Sequence, residues 1–412
     1  MKTLTNPCQA AERARSKEAS SGLDLDLDQF LFEPDTPPPA MISPEQVGRA
    51  DAEVMASLGV HVTGEDRSGT YILSNFHPLS LLVKSGEIEL LPIVEALKKY
   101  DWLGEKYYWK AVPPDLDRYT ARIASAPEPQ GYFLRVKKGA KVPFPVQTVL
   151  YIARGRIAQR IHNVVILEEG SELHLITGCA TGPGVEIGAH LGVSEQYIGK
   201  NAKLTSTMVH NWGPRMGVRS RPGTIVEEGG TFVSSYCSLR PARNVQTEPR
   251  TWLNGAGASA KYTTVILGSN GSTIDTGGEV YLNAEGTSAE LAHRAVCTGG
   301  HIYQRGLLIG NAPGCRAHVD CAGMILDAGE DGFIHSVPGL RALHPDARMS
   351  HEASIGKIAP EQVAYLQSRG MEEREAISLI IRGFLGEEIV GLSPELDARV
   401  AEIAEIAGHG EE

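Results

Sequence analysis

The chain has no apolar run of bilayer-spanning length, no paired C-x-x-C cysteines, no phosphate-cradling G-x-x-x-x-G-K-[ST] loop and no G-x-G-x-x-G fingerprint. The first absence excludes a transmembrane helix, which needs about 20 apolar residues. The glycine-loop absences exclude the common nucleotide sites. Basic surplus is missing too: 39 Lys and Arg stand against 50 Asp and Glu, for a net charge of -11. Nucleic acid and anionic membrane surfaces both call for a basic face, so neither is an expected partner. The N-terminal stretch MKTLTNPCQAAERARSKEASSG has no apolar centre of the secretory kind, so a cytoplasmic protein is expected. Six cysteines (Cys8, Cys179, Cys237, Cys297, Cys315 and Cys321) are scattered through the 412 residues. In a cytoplasmic chain of this size they read as free thiols, relevant as nucleophile, sulfur carrier or metal ligand.

What is present divides the chain into four. Residues 1–40 are rich in Ser, Asp and Pro and read as a flexible leader. Residues 41–128 carry helix signals, beginning with Ser43-Pro44-Glu45 and continuing from Leu90 to Tyr100. An aromatic cluster follows, YDWLGEKYYWK from Tyr100 to Lys110, and reads as a core seam. From about residue 129 to 352 the grammar changes to short β-branched runs, acids or Asn, then Gly, then another run. VVILEEGSEL (164–173), TIVEEGGTF (224–232) and VYLNAEGTSAEL (280–291) share it. Gly at such a place supplies the left-handed position of a tight turn. Many short strands with recurring turns fit a solenoid, a sandwich or a propeller. A mainly β protein built on a parallel β-helix is the favoured reading, because each coil can hand its apolar face to the next. Helical signals return over 353–412. Pro360 to Arg369 ends at Gly370, Glu372 to Gly383 is amphipathic, and Ser393-Pro394-Glu395 opens a last helix. The stretch Met349 to Ile358 reads as the junction, with His351 and Glu352 side by side before a small-residue turn.

Several stretches resemble the SufB/SufD family of iron–sulfur cluster assembly scaffold proteins. YDWLGEKYYWK is similar to that family's N-terminal aromatic motif. VVILEEGSELHLITGCATG is similar to the segment that ends in a Glu-Gly-Cys tripeptide. MSHEASIGKI with AYLQSRGMEEREAISLIIRGF resembles the C-terminal signature. The resemblance implies a right-handed parallel β-helix flanked by N-terminal and C-terminal α-helical domains. It also implies a transient iron–sulfur cluster, of the [4Fe-4S] or [2Fe-2S] type, built between paired subunits. A SufC-type ABC ATPase would dock on the C-terminal helices. A second family subunit (as homodimer or heterodimer), a sulfur donor and apo-protein acceptors would be the other partners.

By the same resemblance Cys179 is the candidate sulfur acceptor and relay, although Thr177 stands where SufB usually has Glu. His351 and Glu352 match the His-Glu pair after the β-helix and become candidate iron ligands, imidazole and carboxylate both being acceptable to iron. One departure matters. Gly332, in Gly332-Phe333-Ile334-His335, stands where SufB keeps a cluster-site cysteine. Cys321 is the expected replacement thiolate, with Cys315 weaker. Cys315, His318 and Cys321 lie three apart, and on a strand that spacing sends neighbours to opposite faces. His335 and His344 are lesser candidates; Cys237 and Cys297 read as core. Two functions follow: a scaffold that is not itself an enzyme, or a SufD-like structural partner that binds the ATPase and a SufB subunit but holds no cluster. A β-helix carbohydrate-active enzyme is a third reading, but the sequence shows no acid cluster on one solenoid face.

Overall fold

The computed structural model describes residues 7–385 apart from 36, 38, 241 and 327–330. The helix expected from Ser393 lies outside these residues, as does most of the loop before Gly332. Residues 7–35 correct the expectation of a flexible leader. After a short helix, α1 (Pro7–Glu12), the chain lies as a strap against the body with Ala11, Ala14, Leu27, Phe30 and Phe32 buried. Its few apolar side chains meet a ready-made apolar face that includes Ala189, Leu191 and Val193. Polar anchors hold the backbone between them. Arg219 donates to the Leu23 carbonyl, Gln246 to the Ser21 carbonyl, and Arg160 to Glu33 at 2.6 Å. Composition counts polar residues but cannot see that surface.

The segment expected to be an N-terminal helical domain is mixed. α2 (Arg49–Ala56) precedes three strands, β1 (Gly69–Ser74), β2 (His77–Val83) and β3 (Ile88–Pro92). Three short helices follow, α3 (Ile93–Lys99), α4 (Asp101–Lys106) and α5 (Arg118–Ala124). Ser43-Pro44-Glu45 opens only a single 3-10 turn. β1 is drawn into the main sheet, where it pairs in parallel with the first coil.

From β4 (Tyr132–Val136) onward each coil gives one strand to each of two sheets. The pairs are β5 (Val146–Ile152) with β6 (Ala158–Leu167), β7 (Glu172–Thr181) with β8 (Ile187–Ile198), and β9 (Lys203–Asn211) with β10 (Arg215–Val226). β11 (Thr231–Arg240) is followed by an interrupted pair, β12 (Asn244–Thr247) and β13 (Arg250–Leu253). Then come β14 (Ser259–Ser269) with β15 (Thr273–Leu282), β16 (Ser288–Thr298) with β17 (His301–Gly310), and β18 (Arg316–Ile325) with β19 (Phe333–Ala342). β20 (Arg348–Lys357) completes a β-solenoid of about eight turns. One sheet runs β2-β1-β5-β7-β9-β11-β14-β16-β18-β20 and the other β19-β17-β15-β12-β10-β8-β6-β4-β3. The repeated glycines do what the sequence suggests at the corners: Gly170 and Gly229 sit at φ +69° and +63°.

Coils stack in register, so like positions form columns. Ala260, Ala289 and Ala317 make one interior column, and Tyr262, Leu291 and Val319 the next. The outer face of the first sheet carries a second apolar stripe, including Val209, Cys237, Val265, Val296 and Met324. α2 covers part of it with Met55. α7 (Glu373–Leu385), which follows α6 (Pro360–Ser368), covers another part with Ile381 and Leu385. The C-terminal helices thus pack on the flank of the solenoid. No helix among the described residues is long and apolar enough to cross a membrane.

The aromatic motif is held by one carboxylate. Glu195, wholly buried on β8, accepts the backbone N–H groups of Trp109 (2.6 Å), Lys110 (2.7 Å), Ala111 (2.6 Å) and Val112 (3.0 Å). His162 Nε2 lies 2.7 Å from the same group, and Tyr108 stacks on the His162 ring at 4.1 Å. Trp109 is bent to φ +60° so that the four N–H groups converge. This curl explains the motif as architecture. Glu195→Ala strands those donors in a dry interior, and breaking such a buried ionic cluster costs about 3–5 kcal/mol. The urea midpoint of unfolding should fall accordingly, and Glu195→Gln should recover part of the loss.

Deeper inside, His190 and His210 flank Trp212, with His210 Nδ1 2.9 Å from the Tyr236 hydroxyl. Burial pushes His190 down to about 4; burial, with His190 nearby, pushes His210 down to about 3. Both are neutral in the fold, whereas an unfolded histidine titrates near 6.5. Their contribution is therefore intact above pH 6.5 and is lost as pH falls from there towards 4 and 3. Stability should drop over that window with up to about 1.4 kcal/mol per pH unit for each histidine. Denaturant titrations between pH 7 and 4 should show a shallower decline for His210→Gln.

Candidate functional site

The solenoid ends on strands that no other described residues cover. Among the described residues β20 is the edge of one sheet and β19 the edge of the other. Every residue of β20 except Met349 is exposed. Edge strands of this kind present unpaired N–H and C=O groups and invite pairing with another chain. The apolar side chains at this end include Ile355 at 41% and Val337 at 37% exposure.

The small-residue turn expected after Glu352 is absent, because Met349 to Lys357 are strand residues. The boundary expected at residue 352 therefore cuts through β20. His351 and Glu352 are adjacent on this strand, so their side chains leave on opposite faces. Register with β18 assigns the faces. Met349 pairs with Ala317, His351 with Val319 and Ala353 with Cys321, and these β18 residues all face the interior. His351 is thus on the inner face, exposed only because no further coil lies over it. Glu352 is on the outer face beside Asp320, which Arg294 holds at 2.7 Å. The chain brings His351 and Cys321 to one face and sends Glu352 away from them. The expected trio does not converge within one chain. No three His, Cys, Asp or Glu side chains among the described residues are grouped to hold a metal ion.

Cys321 is fully buried, and burial with the neighbouring Asp320 pushes its thiol up to about 11. The Ser336 hydroxyl reaches it from β19, and donates onward to Gln304 at 2.8 Å. Only the Ala353 methyl lies over Cys321 in the final coil. Cys315 is interior but belongs to a separate place, ahead of the strand. His318 faces outward, 2.8 Å from the Ser350 hydroxyl, so the three residues at spacing three do not meet. His335 is exposed near Tyr303, and His344 lies 3.8 Å from Asp346 in the β19–β20 turn. Gly332 directly precedes β19. Cys237 lies under the flanking helices, Cys297 is interior, and Cys8 is an exposed residue of the strap whose thiol reaches the Ala124 carbonyl at 3.4 Å.

Cys179 also faces the interior. Its column runs Leu150, Cys179, His210, Ser238. It is fully buried, and burial holds its thiol far above the ordinary range, so it rests protonated. Thr177 pairs its hydroxyl with Thr148 at 2.9 Å. Along β7-β9-β11-β14-β16-β18 five strand spacings separate Cys179 from Cys321, about 24 Å.

Between them lies an interior chamber of about 80 Å³, lined by Gln196, Met208, Tyr236, Thr264, Thr276 and His293 among others. Sequence reasoning missed it, and missed His293. The signal was there in LAHRA: Leu291, His293 and Ala295 alternate as inward residues of a strand. Burial and the adjacent Arg294 push His293 down to about 4, so it is a neutral imidazole. Neither of its nitrogens has a hydrogen-bond partner among the described residues; Trp212 Nε1 and Thr276 Oγ1 likewise have none.

Comparison with known proteins gives this arrangement its context. The family model described as SUF system FeS cluster assembly, SufBD core domain, matches residues 151–384. An iron–sulfur cluster assembly SufBD family protein of Methanothermobacter thermautotrophicus is 39% identical over 411 residues, 99% of this chain and 100% of that protein. One from Archaeoglobus fulgidus is 41% identical over 357 residues, 87% of this chain and 95% of its own. A chloroplast SufBD family protein of Arabidopsis thaliana is 28% identical, over 80% of this chain and 60% of its own. With residues 151–384 matched and full-length relatives this similar, the chain belongs to the SufBD family of iron–sulfur cluster assembly proteins.

Proposed function

We propose that the chain is a non-enzymatic scaffold on which a nascent iron–sulfur cluster is assembled as cargo at the open end of the solenoid. The observation that carries this reading is the uncovered last coil, which has an exposed imidazole, His351, on the same face as a thiol, Cys321. Imidazole nitrogen and thiolate sulfur suit iron better than they suit hard cations. A second SufBD-family chain, either another copy or a relative, pairs edge to edge with β20 and β19 and closes the site. Because Glu352 leaves the inner face, any iron it binds is approached from the rim beside Asp320. Sulfur enters at Cys179 and moves along the polar interior, which both thiols face. That step requires the solenoid to open, since Cys179 is buried and protonated at rest.

A SufC-type ABC ATPase is the proposed source of that opening. α7 packs on the solenoid flank, and α6 offers a docking surface among the described residues, with Tyr365 59% exposed. The alternative, a structural partner without a cluster, is favoured by Gly332 and by the divergence of Glu352 from His351.

Anaerobic reconstitution with ferrous iron and sulfide, in the presence of the family partner, should give a visible absorption band. His351→Ala and Cys321→Ser should each reduce the bound iron and sulfide at least several-fold. A complex that forms but carries no iron or sulfide supports the structural-partner reading. Tyr365→Ala should weaken co-purification of the ATPase while leaving pairing between family subunits unchanged.

A further inference from the structure

We infer that His293 and Cys321 form a binding site for a borderline-soft divalent cation of the ferrous type, inside the last closed coils rather than on the exposed rim. The two are direct register partners on β16 and β18. Side chains so paired stand on one face with their strands about 4.8 Å apart. An ion held by sulfur at about 2.3 Å and nitrogen at about 2.1 Å fits between such neighbours. Both are interior, with His293 3% exposed and Cys321 fully buried.

The independent pointer to a ligand is His293 itself. Its two ring nitrogens have no hydrogen-bond partner among the described residues, and it lines the interior chamber. A buried polar atom left unpaired costs about 1–3 kcal/mol, so a folded protein retains one where something else binds it. A sulfur and an imidazole nitrogen select against calcium and magnesium. Asp320, the nearest carboxylate in sequence, is turned outward to Arg294. With no third His, Cys, Asp or Glu converging among the described residues, the ion keeps positions open for water or sulfide. That suits an ion in transit, and on the scaffold reading, on which its biological role rests, the ion is iron awaiting assembly. Access is from the end, past the Ala353 methyl. As the sulfur–metal bond forms, the Cys321 proton leaves to solvent and no electron changes hands.

Cobalt(II) is the probe, titrated into the whole chain without oxygen in a Cys8→Ser background. One equivalent should produce a thiolate-to-cobalt charge-transfer band in the near ultraviolet. Cys321→Ser should abolish the band, and His293→Ala should weaken binding at least tenfold. His293→Gln, closer in shape, guards against simple misfolding, with matched melting curves as the check. Cys321 serves both this site and the assembly site on the rim, so the imidazoles tell the two apart: His351→Ala should leave the cobalt band in place, whereas the His293 variants should weaken it. A folded parent protein that gives no band, with water alone filling the chamber, overturns the inference. So does a band that survives His293→Ala or His293→Gln at undiminished affinity.

Discussion

Parallel pairing in register is the constraint from which the rest follows. Each coil places its residues directly over those of the coil before, so a side chain's surroundings are set by its column as much as by its sequence neighbours. The interior can then be apolar along one column, as in Ala260, Ala289 and Ala317, and polar along another, as in Tyr236, Thr264, His293 and Cys321. It also means the stack cannot end itself. Any final coil leaves an inner face and two sheet edges open, and here those edges are β19 and β20. The place where chemistry is proposed is thus a by-product of the architecture: among the described residues no further coil covers the inner face of the last one.

The same constraint decides which residues act together. His351 and Glu352 are neighbours in the chain but on opposite faces. His293 and Cys321 are 28 positions apart and stand side by side. Chemistry in a solenoid is organised across coils, so constellations within a single short motif mislead. The Glu195 clamp follows this logic too, since a residue of β8 gathers the backbone of a curl more than eighty positions earlier.

Much of the fold was legible. Corner glycines, β-branched runs and the Gly370 helix stop all mark real features, because each is a local backbone requirement expressed in a local residue choice. What was not legible depends on surfaces made by distant segments. The strap reads as disordered because its anchors, Arg160, Arg219 and Gln246, belong to coils far downstream. β1 reads as part of a helical region because its partner, β5, is some seventy residues away. At the site, residue types were legible and their directions were not. Reading Met349-Ser350-His351-Glu352 as the junction ahead of a turn, and not as the middle of a strand, hid the alternation that separates the pair.

The strap has a consequence for how the chain is made. Ser21 and Leu23 leave the ribosome early, yet the side chains that receive them, Gln246 and Arg219, are synthesised some two hundred residues later. Coils can stack as they emerge, each on its predecessor. The beginning of the chain has to wait until the middle of the solenoid exists, and only then does it lie down across it. Its docking is a late, long-range step, and a chain interrupted before β12 would carry a strap that lacks its Gln246 anchor.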